Sequence, residues 1–131
     1  TISGIHVFDH LVNLQPEIER IAAISDRDAK ILIVVHDESS MLRRLLRKKW
    51  PPFCLQHPQL FNPKTISNSL RISGFTEIKV KKSTNWFPVR HIGTLVSSLF
   101  GIRSGWVRLL PNREVPLRLG NMVVVASKEQ Q

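Results

Sequence analysis

The stretch "AKILIVVHDESS", Ala29 to Ser40, sets five consecutive Ile, Leu and Val residues against a tail of short polar side chains. An unbroken apolar run rich in β-branched residues is the composition of a strand covered on both faces, as the central strands of parallel sheets are. The run is therefore expected in the middle of a sheet. Asp37 to Ser40 in the tail can cap the exposed N–H groups of a helix. In "MLRRLLRKKW", Met41 to Trp50, Met41, Leu42, Leu45 and Leu46 alternate at helical spacing with Arg43, Arg44, Arg47, Lys48 and Lys49. That pattern predicts an amphipathic helix with its apolar face on the sheet; basic helices of this kind also bind anionic lipid surfaces. Trp50, Pro51 and Pro52 end it.

Upstream, "GIHVFDHLVN", Gly4 to Asn13, reads as a short buried strand breaking into a loop. "QPEIERIAAI" follows, with Pro16 placed to start a helix and Ile18, Ile21, Ala22 and Ile24 on one face. Downstream, "PPFCLQHPQLFNP" is apolar for a surface loop and is expected to cover something. "NPKTISNSLRISGF" predicts a helix with Asn62 as cap, Pro63 in the first turn, Ile66 and Leu70 on one face and Gly74 at its end. "FTEIKVKKS" alternates imperfectly and suits a strand nearer the sheet edge. "VRHIGTLVSSLFGI" reads as a helix, Arg103 to Pro116 as a loop, and "LRLGNMVVVASKE" as a final strand. Strands and helices in alternation, with no repeat and no linker, predict one α/β domain over residues 1–131.

Composition narrows the function classes. With 131 residues, 42% of them apolar, the chain can bury a core of its own. No apolar run approaches a bilayer-spanning length, and the N-terminus lacks the pattern of a signal peptide, so a soluble, cytoplasmic protein is expected. A single cysteine, Cys54, excludes an internal disulfide and a cysteine zinc cluster; it is expected as a small buried apolar group. Nineteen Lys and Arg against ten Asp and Glu give a charge of +9, which suits polyanions or acidic surfaces. The basic residues are spread along the chain without interleaved aromatic rings, so no nucleic-acid binding is expected.

The order of elements, together with local wording, resembles the C-terminal half of class I S-adenosylmethionine-dependent methyltransferases of the small-molecule type. "HVFDHLVN" resembles the family's fourth strand and the acidic-His pair after it, here Asp9 and His10. "AKILIVVHDESS" resembles the fifth strand and its loop. "LQHPQLFNPKTISNSLRISGFTEIKV" is similar to the helix leading through "GF" into the sixth strand, with His57 and Phe61 ahead of it, and "GNMVVVASK" resembles the seventh, inserted antiparallel beside the sixth. The turn "SDRDAK" departs from the family's Pro-Gly-Gly type. The resemblance implies a partial Rossmann-like sheet, fourth to seventh strands, with flanking helices. It also implies a missing first half carrying the Gly-rich turn and the acidic residue for the cofactor ribose. "GIRSG", Gly101 to Gly105, has the wrong spacing for that turn. A fragment of a longer enzyme is therefore expected.

A sulfonium methyl group is already activated, so such a protein mainly aligns a nucleophile and removes a proton where needed. By resemblance, the loops Asp9–Asn13 and His36–Ser40 stand at the site, Phe8 and Asp9 border the methionine end of S-adenosylmethionine, and His10 leads as base or substrate ligand. His36 and His57 are further candidates for catalysis, and Asp37, Phe61 and Trp50 for the acceptor pocket. Trp86, Phe87 and Trp106 are candidates for its wall, packing under loops being their commoner fate. Each histidine has a structural rival: His10 as a donor to a backbone carbonyl, His36 as a half-buried residue with its bonds satisfied, His57 as a pin in the covering loop. His6 and His10 have the i,i+4 spacing of helical zinc ligands, but His6 is read in a strand and no H-E-x-x-H pattern accompanies it, so no metal site is expected. The second functional reading is a non-catalytic basic interaction module. A truncated sheet also exposes an apolar edge, so self-association of the isolated chain is expected.

Overall fold

The computed structural model describes residues 1–128. In chain order these form β1 (Ile2–Ile5), α1 (Leu14–Ile24), β2 (Lys30–His36), α2 (Met41–Leu46), α3 (Pro63–Ile72), β3 (Phe75–Lys82), β4 (Asn85–Pro88), α4 (Val89–Phe100), β5 (Glu114–Leu117) and β6 (Asn121–Lys128). Short 3-10 turns cover Phe8–His10, Arg47–Lys49 and Ser104–Leu109. Glu129, assigned to the last strand from sequence, lies outside the described residues. Among those described, no helix is long and apolar enough to cross a membrane. The described backbone gathers into two compact units, residues 84–119 and residues 1–83 with 120–128.

The larger unit holds a four-stranded sheet in the order β1-β2-β6-β3. β1 runs parallel to β2, and β6 is antiparallel to both of its neighbours. A last strand inserted antiparallel beside the sixth-strand equivalent is the arrangement the resemblance implies. β2 is central, as its composition requires, but has one parallel and one antiparallel neighbour. Its cover is also unequal: Ile31, Ile33 and Val35 are buried, whereas Leu32 and Val34 on the other face are only half-buried. Their register partners on β6 follow suit, Met122, Val124 and Ala126 buried and Val123 and Val125 half-buried.

The buried face packs with Ile18 and Ala22 of α1, Ile66 and Leu70 of α3, and Phe8, Phe61 and Phe75 in one cluster. Each such side chain stabilises the fold by about 1.5–3 kcal/mol when fully buried. α3 begins on a reciprocal cap: Asn62 Oδ1 accepts from the N–H of Lys64 and Thr65, while Thr65 Oγ1 accepts from the Asn62 N–H. β3 is an edge strand, and its imperfect alternation has a cause: a register shift between Thr76 and Lys79, where Glu77 takes φ 48°.

Other expectations fail. α2 is only six residues long and buries none of them; Met41 is 75% and Leu45 78% exposed. Its leucine spacing is helical, but the core cluster takes its helical side chains from α1 and α3 and none from α2. Cys54 is exposed rather than buried. Within the smaller unit, β4 and β5 pair antiparallel, β5 taking the end of the segment expected as a loop, Arg103 to Pro116. Four-residue strands containing Pro88 and Pro116 give no periodic signal, and a two-stranded ribbon tolerates the missing donors. In that unit Trp106 Nε1 donates to Ser97 Oγ, and Trp86 is mostly exposed.

Candidate functional site

Four imidazoles gather at the carboxyl ends of the parallel neighbours β1 and β2. β1 ends at Ile5, the register partner of Val34, and the N–H of His6 donates to Val34 O at 2.9 Å. His6 lies in the bend just past the strand rather than within it, at φ 51°. The 3-10 turn that follows sets Phe8 and Asp9 inward and His10 outward. Phe8 is a core residue: its ring packs so closely on Gly4 that a Cβ there would stand 2.5 Å from Cε2.

Asp9 is fully buried. Its Oδ1 accepts from the backbone N–H of His36 at 3.4 Å, and its Oδ2 lies 3.6 Å from His6 Nδ1. Neither Asp9 Oδ2 nor His6 Nδ1 has a hydrogen-bond partner. His36 is half-buried at the end of β2, and its Nδ1 stands 2.8 Å from Asn121 Oδ1, its register partner on β6. An amide oxygen only accepts, so Nδ1 carries the proton and Nε2 the lone pair. Burial pushes the pKa of His36 below its ordinary value, aided by the nearby His6 and His57; the Asn121 hydrogen bond and the Asp9 charge oppose that shift.

The rings form a chain. Centroids of His6 and His36 are 4.8 Å apart, those of His36 and His57 5.2 Å, and those of His57 and His10 4.6 Å. The fold thus brings together His10, His36 and His57 with Asp9, and adds His6. His10 Nδ1 lies 2.7 Å from Gln56 O, and His57 Nδ1 lies 2.9 Å from Pro52 O and 3.2 Å from Cys54 Sγ. Both rings therefore pin the covering loop through one nitrogen, as their structural rivals predict, and carry a basic Nε2 as well.

The acceptor-side candidates fall differently. Asp37 is buried and its Oδ1 accepts from the N–H and Oγ of Ser39, so its carboxylate shapes the loop after β2. Asp37 also donates its N–H to Gly120 O at 2.7 Å; Gly120 has φ 90°, and a Cβ there would meet Ser40 Oγ at 2.6 Å. Phe61 belongs to the core. Trp50 is buried edge-on to His36, with ring centroids 6.1 Å apart, and its Nε1 has no partner. Arg43 caps that corner, its guanidinium 5.9 Å from the Trp50 ring and 5.3 Å from that of Phe53. A groove of about 440 Å³ lies alongside, lined by Phe53, Cys54, Leu55, His57, Pro58 and Leu60. Trp86, Phe87 and Trp106 belong to the smaller unit.

His6 and Asn121 are the site residues that sequence reasoning missed. The usable signal was that "GIHVFDH" and "ILIVVHD" each carry a histidine just where a strand gives way to a loop. Two such strands side by side and parallel bring those histidines together.

No protein-family model matches the chain, and no curated protein does. Solved structures do. A SAM-dependent methyltransferase from Thermotoga maritima superposes over 97% of this chain and 55% of its own, with a TM-score of 0.61 at 13% identity. The YcgJ protein of Bacillus subtilis matches 99% of this chain and 64% of its own, with a TM-score of 0.59 at 11% identity. Phosphoethanolamine N-methyltransferase 2 of Haemonchus contortus, solved with S-adenosyl-L-methionine, matches 98% of this chain and 33% of its own, with a TM-score of 0.54 at 15% identity. The chain thus spans about half the length of the first of these proteins. At these identities the likeness is one of fold, and the fold is methyltransferase-like.

Proposed function

We propose that this chain is the acceptor-side portion of an S-adenosylmethionine-dependent methyltransferase that acts on a small molecule in the cytoplasm. The observation carrying the reading is the convergence of His10, His36 and His57 at the carboxyl ends of β1 and β2. In open α/β sheets, ligands bind outside the carboxyl ends of the strands at the switch point. The turn 8–10 and the loop 36–40 stand side by side there, which fits one flank of a cofactor pocket. The described residues hold no Gly-rich turn, so they supply that flank only.

In this reading Phe8 fixes the turn from within the core, and Asp9 borders the cofactor's methionine end. The cofactor supplies an activated methyl group on sulfur. His10, His36 and His57 orient the acceptor, and a neutral imidazole among them takes the proton that the acceptor loses. Burial pushes the pKa of His36 below its ordinary value, which favours the neutral form. Trp50, Phe61 and Asp37 hold the pocket's floor and loop in place, and the net charge of +9 favours an anionic acceptor.

Calorimetric titration with S-adenosylhomocysteine tests this on two proteins, the 131-residue chain and the full-length product of its gene. Binding by the full-length protein, with weak or no binding by the chain, is the expected result. Binding by neither overturns the reading.

A further inference from the structure

We infer that His6, Asp9 and His36 form a binding site for a divalent first-row transition metal ion such as Zn²⁺ or Co²⁺. The expectation of no metal rests on the His6–His10 spacing; the fold instead sets His6 against Asp9 and His36. Each of the three side chains offers one ligand atom, and these atoms lie within 4.8 Å of one another. Two imidazoles and one carboxylate are the donor set of open, catalytic-type metal sites, which leave further coordination positions for water or substrate.

Three features point the same way. Asp9 is fully buried, yet its Oδ2 has no hydrogen-bond partner, and neither does His6 Nδ1 3.6 Å away. Buried polar atoms in that state carry a desolvation cost that an inserted cation removes. Second, 3.6 Å is close to the separation of about 3.4 Å that two metal bonds of ~2.1 Å subtend at a tetrahedral angle. Third, His36 is already oriented as metal-bound histidines are. Asn121 Oδ1 holds its Nδ1–H at 2.8 Å, which leaves Nε2 as the donor atom, while the His36 backbone N–H anchors Asp9 Oδ1 and leaves Oδ2 for the ion.

The site does not depend on the methyltransferase reading, in which an ion on His36 would leave His10 and His57 as the free imidazoles, and its test reads metal rather than activity or cofactor binding. The metal-free chain is titrated with Co²⁺ while its visible ligand-field absorption is followed, and Zn²⁺ is then added as competitor. The expected result is one Co²⁺ per chain, displaced by Zn²⁺. His6→Ala and His36→Ala each weaken binding at least tenfold, and Asn121→Ala weakens it about 10-fold by freeing the His36 ring. His91→Ala and Cys54→Ser leave it unchanged. His6 is only half-buried, so its alanine variant remains folded, which circular dichroism checks. Absence of a Co²⁺ spectrum, or binding that survives His6→Ala, reduces the trio to a His–Asp ion pair and overturns the inference. So does binding abolished by Cys54→Ser, which would place the ion on Cys54 and His57 instead.

Discussion

His36 and Asn121 face each other as register partners across β2 and β6, with Nδ1 of one 2.8 Å from Oδ1 of the other. Asn121→Ala is expected to abolish the tautomer preference of His36, seen as converging ¹⁵N shifts of the two ring nitrogens. It should also cost about 1 kcal/mol in urea unfolding, the net worth of one such hydrogen bond. Retention of a single tautomer would show that something other than Asn121 orients the ring.

Gly4 meets Phe8 in a contact with no room for a methyl group, since a Cβ would lie 2.5 Å from Cε2 and 2.8 Å from Cδ2. Gly4→Ala is expected to destabilise the chain by about 1–3 kcal/mol through overpacking. Adding Phe8→Leu should recover part of that loss, measured as the denaturation midpoint of the double variant.

Lys128 Nζ donates to Ala22 O and Ser25 O, each at 2.7 Å, at the C-terminal end of α1. α1 has no basic residue in its own last turn, so a strand distant in sequence supplies the cation that its end favours. Lys128→Met keeps most of the stem and removes the charge. It should lower stability by about 1–2 kcal/mol, and an unchanged urea midpoint would refute this capping role.

β1 is the outer strand of its sheet; its Ile5 is 63% exposed, and Leu32 and Val34 on the neighbouring β2 are half-buried. Edges of this kind pair with other chains. The isolated chain is expected to dimerise in light scattering, and Ile5→Lys to return it to a monomer. A monodisperse monomer for the unmodified chain would count against the pairing.

Much of the sheet was legible because strand composition and strand position are linked. The "ILIVV" run belongs in the interior, and it is there; the charged "EIKVKK" belongs at an edge, and β3 is there. Helical spacing misled at Met41–Leu46, because periodicity reports what a segment can bury and not whether a partner surface remains. β4 and β5 were too short and too rich in proline to register. At the candidate site, His10, His36 and His57 were singled out by the family resemblance, and the fold sets their rings beside one another. His6 was set aside by its spacing to His10, a comparison along one segment, whereas its neighbours Asp9 and His36 are set by a turn and by a parallel strand.

The position of β6 has a consequence for how the molecule assembles. It is the last described element in sequence, yet it lies between β2 and β3, and its pairing of His36 with Asn121 closes a separation of 85 residues. Until that strand is synthesised, β2 and β3 have no common neighbour and Ile31, Ile33 and Val35 have no cross-strand partners on that side. The nascent chain must therefore wait, with its stickiest strand uncovered, for a late and long-range closure. Such topologies fold slowly and depend on protection from aggregation in the interval. Only when β6 arrives does Asn121 reach His36 and fix the orientation of its ring.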